Sequence, residues 1–374
     1  MKILFTGGGT GGHIIPIISI VREIRLLYPI EDLELMYVGP RDAFSMMLLR
    51  GEGIEIRSVL AGKIRRYWDW KSILQNIFDV LIKIPIGIIQ ACWHVFWWAP
   101  DVVFSKGGYG SFPVVFAAWM MQVPIFLHES DVSPGLANRI ISKFALEIFV
   151  SFPKTEYFHP QKSIIVGNPI RRSLLEGSTQ EAKKKFNLSG EKPILFIMGG
   201  SQGAQRINDV ILAALPDLVQ EFELIHQTGE FNFNAVKAEA DVVLESKYKK
   251  YYHPVPFLRE QDLRDVYAAA DLIVARSGSG TIFEIAAVGK PSILIPLSES
   301  AQNHQYKNAY AYAAHGAAIV LEEANFLPHF FLERLRYLFS DPEILEKMRQ
   351  AAKRFAMPKS GQIIAAYLLD YVMT

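Results

Sequence analysis

Short apolar runs rich in β-branched residues, each ending in a turn and followed by helix-prone sequence, recur along this chain in two series. The first is KILFTGG (2–8), ELMYVGP (34–40), DVVFSKGG (101–108), PIFLHES (124–130) and SIIVGNP (163–169). The second is PILFIMGG (193–200), FELIHQTG (222–229), DLIVARSG (271–278), PSILIPL (291–297) and AAIVLEE (317–323). Continuous apolar strands alternating with helices indicate parallel sheets covered on both faces. At 374 residues the chain is too long for one ordinary core. The expectation is an α/β protein of two doubly wound Rossmann-like domains, 1–167 and 168–352, with a C-terminal helix, 353–374, packing back on the first. Ligands of open α/β sheets bind beyond the carboxyl ends of the strands. The glycine clusters lie at such ends, so they are expected to converge on a central cleft.

Composition narrows the function. Half the residues are hydrophobic and 21% are charged, as in a folded globular protein. The 39 basic residues barely exceed the 38 acidic ones, so no nucleic acid is expected as a partner. A single cysteine, Cys92, forms no internal disulfide and suits a reducing cytoplasm. The sequence has no His-x-x-x-His or Cys-x-x-Cys pair and no Asp-x-Asp near a strand end, so no metal is signalled. No Walker motif occurs, which removes P-loop kinases. MKILFTGGG breaks into glycines too early for a signal peptide and reads as a buried strand. A membrane span needs roughly 20 consecutive apolar residues. In residues 73–98 Asp79, Lys83, Gln90 and His94 interrupt, with Pro85 and Gly87 between them. That stretch reads either as a buried helix or as a helix with an apolar face on a membrane surface.

Residues 7, 9 and 12 of GGGTGGH satisfy Gly-x-Gly-x-x-Gly, the dinucleotide fingerprint. Its acidic ribose partner belongs about 20 positions on, whereas Asp42 in GPRD comes thirty residues after Gly12. The turn instead offers close backbone approach and free N–H groups, and places His13 at the start of the next helix. GGSQGAQRIND (199–209) holds the equivalent place in the second domain, where Ser201 and the glycine amides suit phosphate oxygens or simply cap a helix. In RSGSGTIFEIAAVGKP, Arg276 and the turn amides can take a pyrophosphate, and Glu284 can accept from two ribose hydroxyls or merely favour a helix N-terminus. Gln302, Asn303, His304, Gln305 and Asn308 form an amide-rich cluster suited to sugar hydroxyls, or an ordinary polar loop. Glu129 and Asp131 follow a buried strand, and Lys106 and Tyr109 border the same region.

Taken in order, GGTGGH (8–13), GGY (107–109), HES with PGLAN (128–138), GNPIR (167–171), GGSQGA (199–204), RSG with TIFE (276–284) and HQYKNA (304–309) resemble the MurG family of peptidoglycan N-acetylglucosaminyltransferases. The resemblance spans nearly the whole chain. It implies the GT-B fold and inverting transfer of GlcNAc from UDP-GlcNAc to the C4 hydroxyl of MurNAc in lipid I, giving lipid II, with no metal or other cofactor. Matched motif by motif, Thr10, Gly11 and Gly12 resemble a turn near the donor sugar, and Arg171 an arginine that reaches the donor. Ser201, followed by Gln202, matches the phosphate-side serine, and Leu258 a residue whose backbone reads uracil. Ser279, Gly280, Thr281, Ile282, Phe283 and Glu284 match the turn and helix that hold diphosphate and ribose. Gln305 resembles the reader of GlcNAc hydroxyls, and Asn138 and Asn308 are counted with the substrate-binding residues. Asp131 stands where many members have a sugar-contacting asparagine; GSGT (278–281) replaces the commoner GALT, and Gln302 a frequent aspartate.

In this reading His13 is the favoured catalytic base, with Glu129 and Asp131 as rivals. Arg276, Ser201 and residues 277–284 stabilise the departing diphosphate. Lys63, Arg65, Arg66 and Lys71 lead into the apolar stretch, so residues 63–98 are expected to meet anionic headgroups. The expected location is peripheral, on the cytoplasmic face of the plasma membrane. A UDP-GlcNAc 2-epimerase, a glycolipid-forming UDP-sugar transferase and a non-catalytic UDP-sugar sensor are the alternatives.

Overall fold

A computed structural model describes residues 1–8, 11–65, 69–154, 157–200 and 203–374, apart from the side chains of Phe44 and Ala301. The chain forms two compact units, residues 1–171 with 358–374 and residues 172–357.

Unit 1 is built on seven parallel strands: β1 (Lys2–Thr6), β2 (Glu34–Gly39), β3 (Glu55–Ser58), β4 (Val102–Ser105), β5 (Ile125–Glu129), β6 (Glu147–Val150) and β7 (Ser163–Ile165). Their order is β3-β2-β1-β4-β5-β6-β7. The winding direction reverses between β1 and β4, which creates a crevice at their carboxyl ends. Side chains alternate across β1. Ile3 and Phe5 join Ile14, Ile17, Val21 and Ile24 of the helix Gly11–Leu27. Leu4 joins Val103, Val114 and Val95 on the other face. Each such side chain contributes about 1.5–3 kcal/mol when fully buried.

The last helix, Ser360–Met373, adds Ile364, Ala365, Leu368 and Leu369 to the first of these clusters. It is not continuous with what precedes it. Lys353–Phe355 complete the helix Pro342–Phe355 of unit 2, and the chain crosses back through residues 356–359, where Pro358 interrupts helical bonding.

Residues Trp70–Trp98 form one helical run with a π-turn at Asp79–Lys83. Gly87, Ala91 and Val95 recur every four residues and form its buried stripe, and the run packs on the helix Phe112–Met120. A Cβ on Gly87 would stand 1.9 Å from the Leu60 carbonyl oxygen, so only glycine permits this approach. Asp79 is buried and held by Arg65 at 2.9 Å and Lys83 at 2.6 Å. The buried-helix expectation fails here. Only 17% of the most apolar window is buried, and Leu81, Ile89, Trp93, Phe96 and Trp97 are exposed.

Unit 2 repeats the plan with six parallel strands: β8 (Ile194–Met198), β9 (Glu223–Gln227), β10 (Tyr252–Val255), β11 (Leu272–Ala275), β12 (Ser292–Leu294) and β13 (Ala318–Val320). Their order is β10-β9-β8-β11-β12-β13, with the reversal between β8 and β11. Leu195, Ile197, Leu224, Leu272 and Val274 pack against Ile207, Ile211, Leu215 and Leu218 of the helix Gln205–Glu221. The strands β3, β6 and β10 are not among the apolar runs singled out in the sequence. β3 and β10 are edge strands, and Pro254, which has no N–H to donate, is tolerated in β10 because an edge strand needs no donor on its open side.

Candidate active site

In unit 1 the polar groups collect at the switch point. The turn after β1 meets the turn after β4 through Gly8 N–H donating to the Gly107 carbonyl at 2.9 Å, and Tyr37 OH donates to the Gly7 carbonyl at 3.1 Å. Gly107 and Gly108 have φ of +81° and +84°, a region that favours glycine. A Cβ on Gly107 would fall 2.1 Å from Asn138 Oδ1. That oxygen accepts from Gly108 N–H at 2.9 Å. Asn138 Nδ2 donates to Glu129 Oε2 at 2.7 Å, and Asp131 N–H donates to Glu129 Oε1 at 2.9 Å. Lys106 is 2% exposed and its ammonium donates to Ser130 Oγ.

His13 lies in the first turn of its helix, its ring beside Gly8 and Gly108. Burial, with the Lys106 charge, holds the imidazole well below its usual range, so it is neutral at pH 7. Burial and the Asp131 carboxylate raise Glu129, against the pull of its two hydrogen-bond donors and Lys106. Both Glu129 oxygens are occupied within the protein, so its structural part is orientation of Asn138 and of the loop after β5. Asp131 is half-buried on that loop, and Arg171 is half-buried at the last position of the first segment of unit 1. Gly11 and Gly12 open the helix that carries His13, Gly12 being exposed. Thr10, Ser201, Gln202 and Arg66 lie outside the described residues.

In unit 2 the helix Ser279–Ala287 starts directly after β11, and Gly278 at its N-cap offers no side chain to its first N–H groups. Those groups and the helix dipole favour an anion. Ser279, Ile282, Phe283 and Glu284 are buried, with Gly280 and Thr281 half-buried. Tyr267 OH donates to Glu284 Oε2 at 3.2 Å. Ser277 Oγ donates to the Gln305 carbonyl at 2.8 Å, and Asn308 Nδ2 to the Ser277 carbonyl at 3.4 Å. Gln305 Oε1 accepts from Leu297 N–H at 3.0 Å, which leaves its amide nitrogen for a hydroxyl. Just before it, Gln302 and Asn303 hold left-handed φ of 58° and 55°, a strain that proteins retain mainly where surrounding structure imposes it.

Arg276 is placed differently from the phosphate-binding expectation. It pairs with Glu323 and donates to the Ile295 carbonyl at 3.2 Å. Burial would raise Glu323, but donors from Ser298 and Arg276 hold the carboxylate below its usual range. The pair therefore braces the loop after β12, and its charges largely cancel. Leu258 also has a prior engagement: its N–H donates to Gln227 Oε1 at 3.0 Å, so only its carbonyl remains for a base. Lys106, Gln227 and Glu323 had no assigned part in the sequence reading. A lysine directly before Gly-Gly at a strand end was the signal for the first; the other two depend on contacts between distant segments.

Two Rossmann-like units, each with a polar, glycine-lined site at its switch point, define a nucleotide-sugar glycosyltransferase of the GT-B class. Residues 3–150 match the glycosyltransferase family 28 N-terminal domain and residues 194–362 the family 28 C-terminal domain, and the chain belongs to this family. A UDP-N-acetylglucosamine--N-acetylmuramyl-(pentapeptide) pyrophosphoryl-undecaprenol N-acetylglucosamine transferase of Clostridium tetani is 33% identical, over 98% of both chains. One of Geobacillus thermodenitrificans is 35% identical over 86% of both. Among solved structures, Acinetobacter baumannii MurG superposes with a TM-score of 0.74 over 99% of both chains at 22% identity. A UDP-GlcNAc 2-epimerase from Neisseria meningitidis gives 0.68 at 16% identity, over 99% of this chain and 100% of that one. These two likenesses show the fold alone.

Proposed function

We infer that this enzyme transfers GlcNAc from UDP-GlcNAc to the C4 hydroxyl of MurNAc in lipid I, forming lipid II for peptidoglycan synthesis. The observation that carries the reading is full-length similarity to transferases named for that reaction, at 33% identity over 98% of both chains. The acceptor hydroxyl attacks the anomeric carbon as UDP departs, inverting the configuration. His13 takes the hydroxyl proton: burial and the Lys106 charge keep its imidazole unprotonated and able to accept one, at the cost of some basicity. The N–H groups at the start of the helix Ser279–Ala287 receive the diphosphate charge, and Glu284 receives the ribose hydroxyls. Gln305 and Asn308 serve the GlcNAc, the latter through Ser277. The chemistry uses no metal ion.

A lipid acceptor requires a membrane-facing part. The exposed apolar side of Trp70–Trp98, with Lys63 and Lys71 near its start, supports peripheral attachment to anionic headgroups on the cytoplasmic face, while Arg65 is engaged by Asp79. A UDP-GlcNAc 2-epimerase has no need of such a surface. The deciding experiment incubates purified protein with UDP-GlcNAc and a lipid I analogue. UDP release that depends on the acceptor is expected. Folded, UDP-binding protein that releases no UDP with this acceptor overturns the assignment.

A further inference from the structure

Lys106 sits immediately after β4 with 2% of its surface exposed. Lysine at such depth is held only where opposite charge or acceptors compensate its lost hydration. Ser130 Oγ accepts from its ammonium, and the negative charges of Glu129 and Asp131 act on it. Ser130 Oγ in turn donates to Asn168 Oδ1 at 3.3 Å. One side chain thus ties together the turn after β4, the loop after β5 and the turn after β7. The backbone of the same residue binds the first strand, its N–H donating to the Thr6 carbonyl at 2.8 Å.

We propose that Lys106 is a positioning residue for the transfer: its buried ammonium pins the loop after β5 through Ser130 and offsets the Glu129 and Asp131 carboxylates, so that the Gly107–Gly108 turn holds the His13 ring in working position. The inference rests on the assignment of His13 to the proton transfer. The geometry supplies each link. Glu129 spends both oxygens on Asp131 N–H and Asn138 Nδ2. Asn138 passes that orientation to Gly108 N–H, and the Gly108 Cα faces the ring so closely that a Cβ would lie 3.0 Å from His13 Nε2. Without the cation, two acids would share this crowded corner uncompensated, and the loop would shift or take up a proton.

The titratable groups around the ammonium are His13 from the first helix, His128 and Glu129 from β5, and Asp131 from the following loop. Removing a positive charge raises the pKa of His13, His128 and Glu129, each of which the Lys106 charge lowers. The acidic limb of the rate profile reports the group that must be unprotonated, so with His13 as the base it moves upward.

The test measures acceptor-dependent UDP release across the acid and neutral range for wild type, Lys106→Met, Lys106→Arg and Ser130→Ala. For Lys106→Met, kcat is expected to fall about a hundredfold, as a misplaced catalytic group does. Its acidic limb moves up by about 1 pH unit, while KM for UDP-GlcNAc stays unchanged. Lys106→Arg keeps the limb in place. Ser130→Ala lowers kcat without moving the limb. A folded Lys106→Met variant with wild-type kcat and limb overturns the proposal. If Lys106→Met does not fold, Ser130→Ala decides: reduced kcat with an unmoved limb supports it, and wild-type kcat overturns it. Failure of the wild-type enzyme to release UDP instead overturns the transferase reading, so the two outcomes are separable.

Discussion

A methyl group added to Gly108 would stand 3.0 Å from Nε2 of His13, closer than nearly all carbon contacts in proteins. The glycine after β4 and the histidine after β1 therefore share one constraint: the space left by the missing side chain is where the imidazole edge lies. Gly108→Ala also forces alanine into φ of +84° with ψ of 167°, a region almost reserved for glycine, at a cost of about 1–3 kcal/mol. The expected result is a folded enzyme of slightly lower melting temperature whose kcat falls at least as far as its stability. Wild-type kcat in this variant would separate the Gly108 contact from catalysis.

His13→Ala removes the proposed proton acceptor. General-base catalysis contributes about 10²–10⁴-fold, so kcat should drop by that order while UDP affinity, measured by calorimetry, changes little. Retention of near-normal turnover would take His13 out of the base role and leave the family assignment standing.

Glu284 is testable through the ligand. Loss of hydrogen bonds to a charged group costs about 1.5–3 kcal/mol, so Glu284→Ala should weaken UDP binding by roughly one to two decades. Wild-type protein should also bind 2′-deoxy-UDP less well than UDP, and the variant should no longer distinguish the two. Equal discrimination in both proteins would place the ribose elsewhere.

Three histidines, His13, His128 and His226, are pushed well below the usual imidazole range, chiefly by burial. His226 sits between Tyr252 OH at 2.8 Å and Asn208 Oδ1 at 3.1 Å. A depressed folded-state pKa gives stability that is present above the unfolded value of 6.5 and is lost as pH falls below it. Each fully buried histidine then contributes a slope of about 1.4 kcal/mol per pH unit. Thermal melts should show a melting temperature that declines steadily below neutrality, and His226→Gln should flatten that decline. An unchanged slope would mean that His226 takes up a proton as readily in the folded protein as in the unfolded chain.

Replacing Ile89, Trp93 and Trp97 with serine should abolish sedimentation with anionic liposomes while sparing turnover of a short-chain, water-soluble acceptor. Liposome binding that survives these changes would remove this helix from the membrane contact. Addition of EDTA should leave turnover unaltered, and a loss restored by a divalent cation would revise the metal-free chemistry.

The sheets were readable in outline because strands such as KILFT and ILFIM are apolar on both faces, which only a covered parallel sheet requires. β3, with the sequence EIRS, carried no such signal. Its place at a sheet edge leaves charge tolerable, so periodicity cannot separate it from loop. Within the site, glycine spacing and the polar residues at strand ends located both switch points. What sequence could not show is which polar group is already occupied. Arg276 has the position of a phosphate ligand, yet its partner Glu323 comes from a segment far along the chain. Leu258 likewise loses its N–H to Gln227, a side chain on a neighbouring strand.

The helix Ser360–Met373 has a consequence for biosynthesis. Its Ile364, Leu368 and Leu369 cover the same apolar face as the first helix of the chain, yet the ribosome makes all of unit 2 before releasing them. Throughout the synthesis of unit 2, unit 1 therefore presents an unsealed apolar flank that only the last residues of the chain can close.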